Sequence, residues 1–309
     1  MKNFSIAIHG GAGTLVKGMM TPELESKYKQ ALKQARDFGY LILEKGGSSV
    51  DAVEQAVKIL EDSPLFNAGK GSVFTATESH EMDASIMDGK TLNAGAVSLI
   101  SGIKNPVSLA RDVMEKSEHV FLAGEGAMQF AKELDYTLEN DAYFYDEFRY
   151  KQWLEIKDTD SFQLDHSTKK DSKFGTVGAV ACDQDGNIAA ATSTGGMTNK
   201  KWGRVGDSPM VGAGNYANNK TCAISCTGSG EFFIRGVVAY DVACLMEHKG
   251  LSLKAASEEV IHKRILEIGG DGGLIAVDSE ANIAMPFNTE GMYRASKSSN
   301  GTEEISIYK

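Results

Sequence analysis

Cysteine is sparse in this chain, and the four that occur, Cys182, Cys222, Cys226 and Cys244, form no C-x-x-C pair. A disulfide framework and the simplest zinc or redox motifs are therefore excluded. Cys222 and Cys226 share one face if TCAISCT is a strand, and their apolar neighbours mark them as buried, reduced thiols. Six histidines are scattered without the spacing of a zinc site. A basic excess is also missing. With 32 Lys and Arg against 42 Asp and Glu, the net charge is −10, and nucleic acid is not expected as a partner because phosphate binding needs clustered positive charge. Long apolar runs are absent too: the few apolar residues before His9 are too short for a signal-peptide h-region or a membrane span. The expectation is a cytoplasmic protein without membrane contact.

What is present is an ordinary globular composition. A 42% hydrophobic and 24% charged share over 309 residues supports one large α/β domain with a sizeable core. The N-terminal run to His9 reads as a buried strand. Thr21-Pro22 opens a helix reaching about Lys45, since threonine caps and proline suits the first helical position. Gly46-Gly47 stops it. Ser48-Ser49 start a second helix through DAVEQAVKILED, which ends at Asp62-Ser63-Pro64. SVFTAT, EMDASIMD and GAVSLI suit strands, and PVSLARDVMEK and EGAMQFAKEL suit helices. From about 140 to 175 the chain becomes charge-dense without a clear apolar period, which reads as a mobile linker.

After that linker, FGTVGAVACDQDGNIAAATSTGG reads as a buried hairpin turning at Asp183–Asn187. A second copy of the template follows in GLIAVDSEANIAMPFNTEGM, where Ala181, Asp183, Asn187 and Thr194 match Ala276, Asp278, Asn282 and Thr289. Between the copies lie two helical stretches, FFIRGVVAYDVACLMEHKG and SLKAASEEVIHKRILEIGG. Strands and helices segregate, as they do in an antiparallel sandwich with helices outside.

Centring the first hairpin on Asp185 sets Thr176 across from Thr194, so two hydroxyls meet at its open end. Cys226-Thr227-Gly228-Ser229-Gly230-Glu231 leads straight into a helix, presenting backbone N–H groups and a hydroxyl suited to an oxyanion or carboxylate. Gly203-Arg204-Val205-Gly206-Asp207 offers a guanidinium and a carboxylate three residues apart, complementary to a zwitterionic amino acid. HGGAGT lacks the third glycine of a dinucleotide loop, and Asp183–Asn187 lacks the distal glutamate of a calcium loop.

Taken in order, IHGGAG, GSSVDAVEQAV, FNAGKGSVF, EMDASIMDG, GTVGAVA, ATSTGG, GRVGDSP, CTGSGE and PFNTEGMYRA closely resemble the plant-type, or isoaspartyl peptidase, asparaginases of the threonine N-terminal-nucleophile hydrolases. The resemblance covers all but the linker. It implies a four-layer αββα sandwich, made as a precursor and cut by itself between Gly175 and Thr176 into an α subunit, 1–175, and a β subunit, 176–309. Such a cut frees an α-amine whose pKa of about 7.7–8.0 lets Thr176 serve as base for its own hydroxyl.

By the same resemblance, Thr194 is a second hydroxyl beside the nucleophile, and Thr227 and Gly228 are oxyanion donors. Arg204, Asp207 and Gly230 bind the substrate's α-carboxylate and α-amine. Asn67 contacts the nucleophile around processing. No cofactor is implied for catalysis. A structural sodium ion is implied, held by carbonyls of the loop near Leu60–Gly69, as is a dimer of αβ heterodimers. The implied substrates are L-asparagine and β-aspartyl dipeptides. Two alternatives stand beside this: a glycosylasparaginase acting on sugar-linked asparagine, a branch usually secreted and disulfide-bearing, and a binding protein on the same fold that never matures.

Overall fold

The computed structural model describes residues 3–157 and 175–309. In chain order the elements are β1 (Ser5–Gly13), α1 (Pro22–Glu44), α2 (Ser49–Glu61), β2 (Met82–Asp88), β3 (Ala94–Ile100), α3 (Pro106–Lys116), β4 (Phe121–Ala123), α4 (Gly124–Glu133), α5 (Asp141–Phe144) and α6 (Glu147–Ile156). The second half supplies β5 (Val177–Cys182), β6 (Ile188–Thr194), β7 (Asn215–Ala217), β8 (Cys222–Gly228), α7 (Gly230–Gly236), α8 (Val238–Lys249), α9 (Leu253–Glu259), α10 (Ile265–Glu267), β9 (Gly272–Asp278), β10 (Ile283–Ala284), β11 (Gly291–Ser298) and β12 (Glu303–Tyr308).

Two sheets carry the fold. The larger has the order β12-β11-β1-β5-β6-β2-β3-β4, and the smaller β10-β9-β8-β7. All pairs are antiparallel except β3 with β4. Three separate apolar cores fill the spaces between layers. One, including Leu32, Val57 and Leu60, lies between α1–α3 and the large sheet. Another, rich in alanine and including Ala7, Val180, Ala190 and Ala223, lies between the sheets. The last, including Ile224, Val242 and Ile261, lies between the small sheet and α8–α9. This is the expected αββα sandwich. The small residues of the middle core let the two sheets approach closely.

Local chemistry explains the boundaries. The Thr21 hydroxyl accepts from Leu24 N and the Ser48 hydroxyl from Asp51 N, capping α1 and α2 where the sequence places them. The repeated hairpins share one turn device: Asp183 Oδ1 accepts from the amides of Asp185 and Asn187, and Asp278 Oδ1 from those of Glu280 and Asn282. Their second arms differ. β6 is seven residues long and lies in the large sheet, whereas β10 is two residues long in the small sheet and the chain then crosses over to become β11.

Three expectations are corrected. SVFTAT is not a strand: Val73 N bonds the Asn67 side chain, Phe74 O accepts from Asn199 N, and the hydroxyls of Thr75, Thr77 and Ser79 close a turn. The FFIRGVVAYDVACLMEHKG stretch is two helices, broken at Val237, which sits at φ +47°. The first part of the supposed linker is ordered, forming α5 and α6, which are anchored by buried Phe144, Arg149, Trp153 and Ile156. Arg149 stands at a position of that buried stripe, so the apolar period was invisible. The rest of the linker, 158–174, lies outside the described residues. Among the described residues no helix is long and apolar enough to cross a membrane.

Candidate active site

β5 begins one residue after Thr176, in the middle of the large sheet between β1 and β6. Val177 pairs with Ser193, so continuing the register sets Thr176 opposite Thr194, as the hairpin arithmetic requires. The two hydroxyls have other partners, however. Thr176 Oγ1 lies 3.1 Å from Ser208 Oγ, and Thr194 Oγ1 accepts from Gly196 N at 3.1 Å. Ser208 was not singled out from sequence, although it directly follows Asp207 in the GRVGDSP motif.

A small cavity of about 40 Å³ opens in front of Thr176, with Asn67, Gly175, Thr194, Arg204, Asp207 and Gly228 in its lining. Residues far apart in sequence are thus brought together, with Thr227 and Gly230 outside the lining itself. Asn67 braces the far wall: its Nδ2 donates to Gly196 O at 2.7 Å and its Oδ1 accepts from Val73 N at 3.1 Å. The buried Thr227 hydroxyl accepts from Ala12 N at 3.2 Å, next to Gly175. Gly230 stands behind the charged pair. A Cβ there would sit 2.9 Å from Arg204 Nη2 and 3.0 Å from Asp207 Oδ1, so only glycine admits both groups.

The charges form a network larger than the sequence reading contained. Arg204 is gripped from outside by Glu231, Nε to Oε1 at 2.8 Å and Nη2 to Oε2 at 3.0 Å. Burial pushes Glu231 upward, but the Arg204 hydrogen bonds and charge hold its carboxyl below its ordinary value. Beneath lie Asp83 and Lys200, both buried. Burial raises Asp83 despite Lys200, and burial lowers Lys200 despite Asp83 and Glu81. Asp207 is fully enclosed, and burial, only partly offset by Arg204, pushes its carboxyl up to about 7. Its Oδ2 has no hydrogen-bond partner among the described residues. A buried carboxylate oxygen left open beside a guanidinium awaits a cation.

A sequence model of the family described as Asparaginase matches residues 2–307. The chain belongs to the asparaginase family. Members of the family similar to it include an isoaspartyl peptidase of Escherichia coli, 52% identical over 98% of this chain and 96% of that one. An isoaspartyl peptidase of Salmonella typhimurium is 52% identical over the full length of both. A plant-type L-asparaginase of Pyrococcus furiosus is 45% identical over 93% of this chain and 94% of its own. Within this asparaginase fold, Glu231, Ser208, Asp83 and Lys200 escaped the sequence reading. Glu231, Ser208 and Asp83 each lie inside a quoted motif, CTGSGE, GRVGDSP and EMDASIMDG, whereas Lys200 lies in none.

Proposed function

We propose that the protein is a self-processing amidohydrolase of L-asparagine and β-aspartyl dipeptides in which Thr176, freed by cleavage after Gly175, is the nucleophile. The observation that carries this is the open Asp207 Oδ2 beside Arg204 in the cavity that also holds Thr176. A guanidinium and an unpaired carboxylate side by side match the α-carboxylate and α-ammonium of one aspartyl unit. The side-chain amide of that unit then faces Thr176. The names of the similar proteins support the same reading. Gly175 is itself part of the lining of this small cavity, so departure of the preceding peptide opens space for substrate.

In this mechanism the Thr176 amine takes the hydroxyl proton as the oxygen attacks the amide carbon. The Thr227 hydroxyl and the Gly228 main chain stabilise the oxyanion, and the amine returns the proton to the leaving nitrogen. Water then repeats the sequence on the ester to release aspartate.

The wider reading includes a sodium ion on the loop near Leu60–Gly69. A Cβ on Gly69 or Gly71 would collide with the carbonyl oxygens of Glu61, Pro64 and Phe66, so several main-chain oxygens crowd this turn, the ligand type a hard cation takes. Such an ion would brace the loop holding Asn67 and take no part in the chemistry. No disulfide joins Cys182, Cys222, Cys226 or Cys244, which supports a reducing, cytoplasmic setting. The dimer of αβ heterodimers rests on the family resemblance.

A side-by-side assay of β-Asp-Leu, α-Asp-Leu, asparagine and N-acetylglucosaminyl-asparagine tests the substrate class. β-Asp-Leu and asparagine are expected to react. Efficient cleavage of α-Asp-Leu, whose α-carboxyl is substituted, would remove the basis of the Arg204 pairing, and preference for the sugar substrate would make the protein a glycosylasparaginase.

The two titrating groups separate in the pH profile. Asp207 is neutral below about 7 and charged above it, and only the charged form pairs with a substrate ammonium, so KM is expected to rise as pH falls through 7. Once substrate is bound, kcat instead follows the Thr176 amine and falls below its pKa of about 7.7–8.0. Steady-state kinetics across this range checks both limbs, and a KM that stays flat on acidification would contradict the role given to Asp207.

A further inference from the structure

Asn199 holds three parts of the molecule at one point. Its backbone sits at φ +64°, in the left-handed region that asparagine tolerates better than most residues, and it is fully buried. Its amide N–H donates to Phe74 O at 2.8 Å, and its Nδ2 donates at 3.2 Å to the carbonyl of Ile156, the last residue of α6. The final carbonyls of a helix have no partner within it, so a side-chain donor at this point closes α6. Phe74 completes the triangle. While its carbonyl takes the Asn199 amide, its ring centroid lies 5.5 Å from that of Tyr150 and 6.2 Å from that of Trp153, both on α6.

Two corners of the triangle continue into the wall of the cavity. Val73, next to Phe74, and Thr198, next to Asn199, both line it, as do Gly196 and Met197. Lys200, on the other side of Asn199, is fixed as well. Its N donates to Met197 O at 3.2 Å, its O accepts from Ala76 N at 3.0 Å, and its buried Nζ donates to Glu81 O at 2.8 Å. Among the described residues, none of α6 is part of the cavity lining, so its hold on the wall passes through Asn199 and Phe74. The arrangement also spans the proposed cut, since α6 precedes Gly175 and Asn199 follows Thr176. A side-chain link of this kind survives breakage of the main chain between its partners.

We propose that Asn199 is a positioning residue for substrate: by tying the end of α6 to its own segment, it fixes the 196–198 wall against which the substrate packs. This rests on the cavity being the hydrolase site. Asn199 itself touches no substrate. Thr176, at the head of β5, and Thr227, in β8, are held by the two sheets and not by this segment, so the wall governs fit and leaves the chemical step in place.

Steady-state kinetics of the processed protein separate this role from a purely structural one. Asn199→Gly keeps the left-handed backbone but lacks the Nδ2 donor. It is expected to raise KM for asparagine and β-Asp-Leu roughly 3- to 10-fold, the scale of one neutral hydrogen bond, with kcat per cleaved chain within about twofold of wild type. Asn199→Asp, which turns an acceptor toward the Ile156 carbonyl, should raise KM further. Trp153→Ala removes a ring from Phe74 and should raise KM too. The double variant Asn199→Gly/Trp153→Ala should then raise it by less than the product of the two, because both act through α6. A fall in kcat at unchanged KM, or effects that simply multiply, would overturn the proposal. Hydrogen exchange read by mass spectrometry gives an arm independent of turnover: the peptide covering α6 is expected to be protected in wild-type protein and to exchange faster in Asn199→Gly. Equal exchange in the two proteins would defeat the proposal even if kinetics changed. If wild-type protein hydrolyses neither substrate, the functional reading fails instead, and the exchange comparison still decides whether Asn199 holds α6.

Discussion

Thr176→Ala is expected to remain a single uncut chain and to lose hydrolysis of asparagine by about 10⁴-fold or more, the scale on which nucleophile deletions act. The loss is double because one oxygen is assigned both reactions. It attacks the Gly175 carbonyl during maturation, and it attacks the substrate amide afterwards. Wild-type protein incubated alone should resolve by intact mass into pieces 1–175 and 176–309, and the variant should not. Thr176→Ser keeps an oxygen and an amine in place, so it should still be cut, more slowly. If an uncut wild-type chain hydrolysed asparagine at full rate, the whole mechanism would have to be abandoned.

Arg204→Ala should still mature, because Arg204 is absent from the Gly175–Thr176 chemistry, but it should lose kcat/KM severely. Breaking one side of a charge pair that substrate covers costs about 2–5 kcal/mol, or roughly 30- to 4,000-fold. In the free protein Arg204 is already held by Glu231, with half of that carboxylate exposed, so this pair adds little stability. Its effect is orientation: the guanidinium is presented with one edge committed outward and the other facing the cavity. Glu231→Gln is therefore expected to weaken substrate affinity modestly while leaving the melting temperature nearly unchanged. Arg204→Lys should recover little, since an ammonium lacks the planar fork. Steady-state kinetics on asparagine and β-Asp-Leu, with the extent of cleavage checked by mass, tests all three variants. Unchanged kcat/KM in Arg204→Ala would count against the substrate-binding assignment.

The features legible in the sequence were those written in local chemistry. Caps at Thr21 and Ser48, and the Asp183 turn, set α1, α2 and the β5–β6 register, and the register set Thr176 opposite Thr194. The same turn read at Asp278 located β9. What stayed hidden depends on groups meeting across the fold. Asn67 reaching over to Gly196 turns the segment after Ser72 into a loop despite its strand-forming residues. Buried Arg149 conceals the anchoring face of α6. Asp83 and Lys200 look like surface charges until the sheet encloses them. His9 carried no role in the sequence reading, and its partner Ser225 lies on a strand 216 residues away.

If the chain is cut after Gly175 as proposed, the strand order of the large sheet has a consequence for the two pieces. Read across the sheet, the strands belong in turn to the later piece (β12, β11), the earlier (β1), the later again (β5, β6) and the earlier again (β2, β3, β4). The two pieces are therefore interleaved like fingers, sharing three ladders and all of the middle core. Severing one peptide bond leaves every one of those ladders intact, so the pieces stay together without a separate docking surface. Unfolding then carries a different penalty. Before the cut, all strands are tethered and re-form as an intramolecular event; afterwards β1 must find its place between strands of another chain. Recovery becomes second order in protein and depends on dilution. The proposed maturation would thus turn a molecule that can return from the unfolded state into one whose persistence depends on how slowly it opens.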